Sequence, residues 1–291
     1  MKRIAILGCE NSHANNFLEF IYNSDTYSDV EVVGVYSNEP AAAKTLNEKF
    51  GVKILDDYRD AVGKIDGLII TARHGDLHYE YAKPYLDSGI PMFIDKPLTI
   101  KESDANEFMR ELKSRGIRVS GGSSLKHDVG VKELKSDREN LVDGETLGGY
   151  VRAPLDPNSV YGGFYFYAPH LVEVVSEIFG RYPLSVEASR NGKLTYVKFN
   201  YDTYSVDGTF VEGNYLYYAS RDAEKNVKGM KLESTTEHNW FKGEFSEFCA
   251  LLDGAPSPVS YRDLFSSVFV MNAIERALES GKCEKVNSAE E

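Results

Sequence analysis

The chain has 291 residues, which at roughly 150 residues per domain predicts two domains, each able to bury a core of its own. Hydrophobic residues make up 42% and charged residues 27%, values that exclude a disordered chain, a collagen-like repeat and a coiled coil. The 33 basic and 45 acidic residues give a net charge of −12, which disfavours nucleic acid and anionic membranes as partners.

The cysteines and the apolar runs indicate the compartment. Cys9, Cys249 and Cys283 lie far apart and form neither a disulfide framework nor a metal-binding spacing. The first apolar run, residues 4–7, ends at Gly8 and is too short for the core of a signal peptide. No later run approaches the length of a membrane span. We therefore expect a cytoplasmic protein.

The first third of the chain alternates short apolar runs with amphipathic stretches. The runs are rich in β-branched residues and predict buried parallel strands at 2–7, 30–36, 67–71, 92–94 and 117–120. The intervening stretches predict helices at 15–22, 41–50, 77–86 and 103–113, and Gly51, Gly89 and Gly116 follow three of them as left-handed caps. This rhythm predicts βαβ units and a doubly wound parallel sheet.

The residue pattern changes from that of a parallel α/β sheet to that of an antiparallel sheet from residue 184 onward. The segments 184–188, 194–201 and 209–219 are rich in Val, Thr, Tyr and Phe, and they predict an antiparallel sheet with turns at Asn191-Gly192 and Asp207-Gly208. Two helices end the chain. The first carries an apolar stripe from Phe241 to Leu252, and Ser260 with Asp263 forms a capping box for the second.

The turn after the first strand reads Gly8-Cys9-Glu10-Asn11-Ser12-His13-Ala14. In a dinucleotide-binding fold, glycines here let backbone N–H groups and the next helix approach a pyrophosphate. Gly8 fits the first glycine position, whereas Glu10 and His13 stand at the second and third. The alternative is a tight turn in which Asn11 or Ser12 caps the helix.

The end of the second strand leaves the choice between NAD and NADP open. An acid there would accept hydrogen bonds from the ribose hydroxyls, and this chain has Ser37 at that place. Serine leaves room for a 2′-phosphate, but the nearest following lysine, Lys44, lies one turn into the next helix. Glu39 is a possible substitute for the missing acid.

The segment Asp95-Lys96-Pro97 follows a predicted parallel strand, where open α/β sheets bind ligands. Pro97 favours an extended backbone at Lys96, which holds the ammonium at the strand end, and Asp95 is able to orient it. The alternative is a surface lysine with a neighbouring counter-ion.

These features together resemble the Gfo/Idh/MocA oxidoreductase family, named for glucose–fructose oxidoreductase and inositol dehydrogenase. The resemblance rests on the strand order, the stretch 71–78 with His78, the segment Asp95-Lys96-Pro97 and the later Gly162-Gly163 followed by His170. It extends over nearly the whole chain. Family members usually have Glu-Lys-Pro where this chain has Asp95-Lys96-Pro97, and their version of the stretch 71–78 is shorter.

The resemblance implies an α/β protein of two domains. Residues 1–122 would form an NAD(P)-binding Rossmann domain with a doubly wound parallel sheet. Residues 123–291 would form a substrate and oligomerisation domain with an open, mainly antiparallel sheet, and its final helices, about 260–280, could pack back on the first domain. The Tyr-rich strands would present a broad face, which we expect another subunit to cover in a homo-oligomer, a dimer or a tetramer.

The resemblance also implies roles for individual residues. Lys96 would bind and polarise a substrate hydroxyl, and His170 would be its acid/base partner. The expected residues around NAD or NADP are Gly8, Glu10, Asn11, Ser12, His13, Ser37, Thr71, Arg73, His74, His78, Asp95 and Lys96. Those around the substrate are Lys96, Tyr165, Phe166, His170 and Glu173. His74 and His78 have no evident third ligand, so no metal is expected.

One departure from the family pattern concerns the substrate. Phe166 stands four residues before His170, where the family commonly has an aspartate, and Glu173 matches an acidic position that could compensate in part. Two functions remain open: a dehydrogenase acting on a small polyol, sugar derivative or related carbonyl compound, and a catalytically silent ligand-binding or regulatory protein. A hydrolytic or eliminating enzyme with tightly held NAD is a further variant of the first.

Overall fold

The structure is a computed structural model that describes residues 1–289. Its backbone divides into two compact units. The first comprises Met1–Thr99, Ser103–Gly122 and Phe241–Leu264, and the second comprises Ile100–Glu102, Ser123–Trp240 and the described residues from Phe265 onward. The segment Phe241–Leu264, which the sequence alone assigned to the second domain, thus belongs to the first unit.

The first unit contains a five-stranded parallel sheet. Its strands are β1 (Lys2–Leu7), β2 (Val30–Tyr36), β3 (Gly67–Ile70), β4 (Met92–Asp95) and β5 (Val119–Gly122), in the order β2-β1-β3-β4-β5. Strands β3, β4 and β5 are buried along their whole length, as the unbroken apolar runs predicted. The doubly wound parallel sheet is confirmed, with β5 starting two residues later than predicted.

The helices of this unit follow the predicted ones closely. They are α1 (Ser12–Tyr22), α2 (Pro40–Phe50), α3 (Asp76–Ala82), α4 (Glu102–Arg115) and α7 (Trp240–Leu252), and α8 (Tyr261–Ser280) begins here. The predicted helix 77–86 is wrong in its second half, where a 3-10 helix, Lys83–Ser88, follows α3. Pro84 is the reason, because proline lacks the N–H that an α-helix needs there and its ring meets the preceding turn.

The helix caps agree with those predicted from the sequence. Gly51, Gly89 and Gly116 have φ angles of 70°, 65° and 62°, the left-handed values expected of glycine caps. Ser260 Oγ accepts a hydrogen bond from the Asp263 N–H at 3.1 Å and donates one to its carboxylate at 2.7 Å, so the predicted cap of the last helix is confirmed.

The second unit contains a seven-stranded sheet and the helices α5 (Val129–Glu139) and α6 (Ala168–Phe179). The strands are β6 (Thr146–Leu155), β7 (Ser185–Asn191), β8 (Leu194–Asn200), β9 (Ser205–Glu212), β10 (Tyr217–Ala223), β11 (Val227–Leu232) and β12 (Glu284–Lys285), in the order β11-β10-β6-β9-β8-β7-β12. Only the β6–β9 pair is parallel in the described sheet, so the mainly antiparallel prediction is confirmed.

Two predictions in this unit are wrong. Asp207-Gly208 is not a turn but lies inside β9, where a Cβ on Gly208 would approach Leu171 Cδ2 to 3.0 Å, so the glycine makes room for α6. The segment 209–219 is not one strand, because β9 ends at Glu212 and the chain turns at Gly213, whose φ is +66°. The hairpin at Asn191-Gly192 is confirmed between β7 and β8.

The two faces of this sheet differ. One face packs on α6 and contributes Val197, Phe199 and Phe210 to the core. The other face carries Tyr150, Tyr196 and Tyr218, of which Tyr196 and Tyr218 are 42% and 36% exposed. We name this surface the tyrosine face. No helix within residues 1–289 is both long enough and apolar enough to span a membrane.

Candidate active site

The turn after β1 is held tightly against the end of β3. Gly8 has a φ of +76°, and a Cβ at this position would lie 2.2 Å from the backbone nitrogen of Ala72. Thr71 Oγ1 adds a hydrogen bond to the Gly8 carbonyl at 3.0 Å. Only glycine fits such a close approach in a left-handed conformation, which is the physical reason for the first glycine of the motif.

The N-terminus of α1 has no side-chain cap. Asn11 occupies the cap position, yet its side chain makes no capping bond. Instead its Nδ2 donates to Asp95 Oδ2 at 2.7 Å. The alternative in which Asn11 caps the helix is therefore wrong, because its Oδ1, the atom that would accept from the helix N–H groups, accepts from Ser12 Oγ at 3.3 Å. The first-turn N–H groups thus have no side-chain acceptor at the cap, an arrangement that suits an anionic group such as a pyrophosphate.

Glu10 turns its carboxylate to the ends of the neighbouring strands. Oε2 accepts a hydrogen bond from Ser37 Oγ at 2.7 Å, and Oε1 accepts one from the Arg73 N–H at 2.9 Å. Ser37 is buried and follows β2, whereas Arg73 follows β3. Both carboxylate oxygens are therefore bound away from the helix N-terminus, so the residues of this turn fit a dinucleotide despite the unfavourable charge at position 10.

Lys96 lies at the carboxyl end of β4 and is only 4% exposed, so the interpretation as a surface lysine is wrong. Its backbone N–H donates to Asp95 Oδ1 at 2.6 Å, and the Lys96–Pro97 peptide bond is cis. Asp95 is fully buried, and burial raises the pKa of its carboxyl to about 6, although the charges of His13 and Lys96 act to lower it.

Asp95 also belongs to a buried network that the sequence did not predict. His13 Nδ1 lies 3.2 Å from Asp95 Oδ2, and His13 Nε2 lies 3.3 Å from Glu244 Oε2 on α7. Burial lowers the pKa of His13 to about 4, against the opposing effect of Asp95. His13 and Asp95, two of the residues that depart from the family pattern, thus lie beside each other, and Glu244 lies close to them although it is distant in the sequence.

His78 links two backbone segments. Its Nε2 lies 2.7 Å from the Ala72 carbonyl oxygen and its Nδ1 lies 2.7 Å from the Pro97 carbonyl oxygen. The side chain is fully buried, and burial lowers its pKa to about 4, although the two carbonyl contacts act to raise it. His78 therefore fixes the backbone beside Lys96. His74 is half-buried and accepts from the Asp76 N–H at 3.3 Å. No group of potential metal ligands occurs within residues 1–289.

In the second unit, Ser123 orients His170. Ser123 follows β5, and its Oγ lies 2.7 Å from His170 Nδ1 on α6. The rings of Tyr167 and Tyr217 each lie 5.9 Å from the imidazole, between centroids. One hydrogen bond and two aromatic neighbours thus hold the ring in one orientation. Sequence reasoning missed Ser123, although a small polar residue directly after a parallel strand was the available signal.

Glu173 lies one turn beyond His170 and contacts the same serine. Its Oε2 accepts a hydrogen bond from the Ser123 N–H at 2.6 Å, whereas its Oε1 has no hydrogen-bond partner among the described residues. Burial raises the pKa of the Glu173 carboxyl to about 7, and the Ser123 N–H opposes that shift. Glu173 is thus able to exchange a proton near pH 7.

The aromatic run before His170 divides between the core and a partly exposed cluster. Tyr165 is buried and donates its hydroxyl to Glu275 Oε2 at 2.7 Å. Phe166 is half-buried, with its ring 5.4 Å from that of Tyr161 and 4.8 Å from that of Tyr167. At the place of the family aspartate, this chain therefore has an apolar aromatic cluster.

Comparison with known proteins supports the resemblance. Residues 2–123 match the family model described as "Oxidoreductase family, NAD-binding Rossmann fold" for Gfo/Idh/MocA proteins. The chain is 29% identical over 122 residues to the uncharacterized oxidoreductase YhhX of Escherichia coli K12, which covers 39% of this chain and 35% of that protein. It is 31% identical over 96 residues to inositol 2-dehydrogenase of Gluconacetobacter diazotrophicus, which covers 32% of this chain and 28% of that enzyme. The matches span about a third of each relative's length.

The likeness of the fold extends further than that of the sequence. An oxidoreductase from Agrobacterium radiobacter, solved in complex with NAD+, L-tartaric acid and magnesium, has a TM-score of 0.78 at 14% identity and covers 98% of both chains. At this identity the likeness shows the fold of the chain alone. The sequence match is with the NAD-binding Rossmann domain of the Gfo/Idh/MocA oxidoreductase family, and it covers residues 2–123 of this chain.

Proposed function

We propose that the protein is an NAD(P)-dependent dehydrogenase that acts on a small polyol, sugar derivative or related carbonyl compound. The observation that carries the proposal is the buried Lys96, held beside Asp95 at the carboxyl end of β4 in a domain of an NAD-binding family. The inositol 2-dehydrogenase among the relatives supports a polyhydroxylated substrate.

The cofactor residues are proposed from the same edge of the sheet. Gly8 with the uncapped first turn of α1 would hold the pyrophosphate, with Asn11, Ser12 and His13 forming that turn. The remaining candidates follow the ends of the other strands: Glu10, Ser37, Thr71, Arg73, His74, His78, Asp95 and Lys96. Of these, His78 acts as a positioning residue, because its buried ring bonds only backbone carbonyls.

The proposed chemistry divides the work between two side chains. When bound, the nicotinamide supplies a hydride acceptor for the substrate carbon. The Lys96 ammonium donates a hydrogen bond to the substrate hydroxyl oxygen and stabilises the negative charge that develops as its proton leaves. The acid/base role that the resemblance implies belongs to His170: its imidazole would accept a hydroxyl proton during oxidation and return one during reduction.

Ser123 and Glu173 serve His170 as positioning residues. When His170 Nδ1 carries hydrogen and donates to Ser123 Oγ, Nε2 is the ring atom able to accept the substrate proton. The Glu173 carboxylate accepts a hydrogen bond from the Ser123 N–H at 2.6 Å and thereby fixes the serine whose hydroxyl orients the ring. Tyr165 and Phe166 would shape the substrate side, and Phe166 favours a substrate with an apolar or less hydroxylated edge.

The proposal is tested in two steps. Titration with NADH and NADPH, followed by energy transfer from Trp240 and the tyrosines, measures cofactor binding, and a screen of inositols and other polyols then measures turnover. Lys96→Met is expected to lower turnover by about 10²–10⁴-fold, the range for a positioned proton-transfer or polarising group. Lys44→Met is the matched control, since the Lys44 side chain is 72% exposed. Turnover unchanged by Lys96→Met contradicts the catalytic role, and absence of nicotinamide binding at millimolar concentration favours a silent ligand-binding protein.

A further inference from the structure

The Glu10 carboxylate stands at the end of β2, although Glu10 itself follows β1. Because β1 lies between β2 and β3 in the sheet, the loop after β1 is able to reach both neighbouring strand ends. Ser37 Oγ accepts a hydrogen bond from the Glu39 N–H at 3.0 Å and donates its one hydrogen to Glu10 Oε2 at 2.7 Å. With the Arg73 N–H on Oε1, the carboxylate is fixed at two points.

A carboxylate at this place has a known physical role in dinucleotide-binding folds. An acid after the second strand accepts hydrogen bonds from the hydroxyls of the adenosine ribose, and it repels the 2′-phosphate of NADP. Ser37 cannot take that role as a charged group. An ionised carboxylate has about four acceptor positions, of which Ser37 and Arg73 occupy two, so Glu10 keeps acceptors for a ribose.

We propose that Glu10 is the residue that binds the adenosine ribose and selects NAD over NADP. This inference rests on the proposed function, because it assumes that a nicotinamide dinucleotide binds. It assigns the selective acid to the loop after β1 rather than to the loop after β2. The Glu10 carboxylate also repels a 2′-phosphate from the space that the small Ser37 side chain would otherwise leave for it.

Lys44, the lysine that follows β2, does not offset this charge in favour of NADP. Its ammonium is mostly exposed and lies 3.7 Å from Glu48, its partner on the same helix. The Arg73 backbone N–H donates to Glu10 Oε1 and thereby helps to hold the carboxylate in place. A 2′-phosphate would therefore meet a fixed negative charge beside Ser37.

The test measures binding by calorimetry, with NADH and NADPH as ligands. The wild-type protein is expected to bind NADH about 10- to 100-fold more tightly than NADPH, the range for hydrogen bonds to a charged group. Glu10→Gln is expected to reduce that ratio to less than about fivefold. Glu48→Gln, at a 65% exposed side chain of α2, is the matched control and is expected to keep the wild-type ratio. Glu39→Gln tests the other acid near Ser37, and the ratio is expected to stay unchanged in this variant also.

A second measurement requires no variant. Wild-type protein should bind 2′-deoxy-NAD about tenfold more weakly than NAD if the 2′-hydroxyl donates to Glu10. Circular dichroism establishes that Glu10→Gln is folded before its affinities are compared.

The outcomes separate the two proposals. Binding of neither nucleotide by the wild-type protein overturns the proposed function and this inference with it. Binding of both with equal affinity, or an NADH/NADPH ratio unchanged in Glu10→Gln, overturns only the inference. Loss of the ratio in Glu39→Gln assigns the selection to Glu39 instead. Tighter NADH binding by Glu10→Gln shows that Glu10 obstructs the cofactor, which also overturns the inference.

Discussion

Replacing Glu173 with glutamine is expected to remove a pH dependence from the free energy of unfolding. The pKa of this carboxyl is about 7 in the folded protein, raised by burial from its usual value of 4.5. At a pH between these two pKa values, the carboxyl is protonated in the folded protein and ionised in the unfolded chain. The stability contributed by this proton is complete below pH 4.5 and is lost as the pH rises through 7.

The size of the effect follows from that shift. At about 1.4 kcal/mol per pKa unit, the full contribution is about 3 kcal/mol, and roughly 2.5 kcal/mol of it falls between pH 5 and pH 8. Glutamine cannot ionise, yet its Oε1 is able to accept the Ser123 hydrogen bond that Glu173 accepts now. Relative to the wild-type protein, Glu173→Gln should therefore gain about 2.5 kcal/mol of stability from pH 5 to pH 8.

The assay is urea denaturation at pH 5, 6, 7 and 8, followed by the fluorescence of Trp240, the only tryptophan and part of the same core. Glu177→Gln is the matched control. Burial alone would raise the pKa of Glu177, but Arg181 and then Lys135 lower it below the usual value. Its contribution should stay constant above pH 5. Parallel pH curves for wild type and Glu173→Gln would refute the assignment of a buried, proton-binding carboxyl.

Three further predictions concern stability and assembly. Gly8→Ala is expected to lower the free energy of unfolding by about 3 kcal/mol or more, because its Cβ would lie 2.2 Å from the Ala72 nitrogen. Gly51→Ala, with open space around it, should lower it by about 1 kcal/mol. Equal losses of stability in urea denaturation would disprove the steric reason. Asp128→Ala should cost about 2–4 kcal/mol and shift the emission of Trp240, whose Nε1 donates to Asp128 at 2.9 Å; an unchanged spectrum would contradict this contact. The tyrosine face should be covered by another subunit, giving a dimer or tetramer in light scattering at micromolar concentration, and a strict monomer would count against it.

The sequence predicted the first sheet well because its signals are local. Strands such as β3 and β4 are buried on both faces, so their residues form unbroken apolar runs that need no partner to be recognised. The glycines after the helices carry an equally local requirement for positive φ angles. The second sheet was predicted less completely. Strand β6 was not predicted. Its glycine at position 149 is explained only by the packing, since a Cβ there would approach Phe179 Cζ to 2.3 Å.

By itself, the sequence determined the resemblance of residues 2–123 to an NAD-binding Rossmann domain, the doubly wound sheet and the position of Lys96 at a strand end, since each depends on residues that are close together in the chain. Only the tertiary structure decided the partners of the site residues. It bound Glu10 to Ser37 rather than to the helix N-terminus, Asn11 to Asp95, and Ser123 to His170. Such pairs depend on which strand ends and helices become neighbours in the folded chain. The spacing of residues along the sequence does not show which of them come within hydrogen-bonding distance, about 3 Å, of each other.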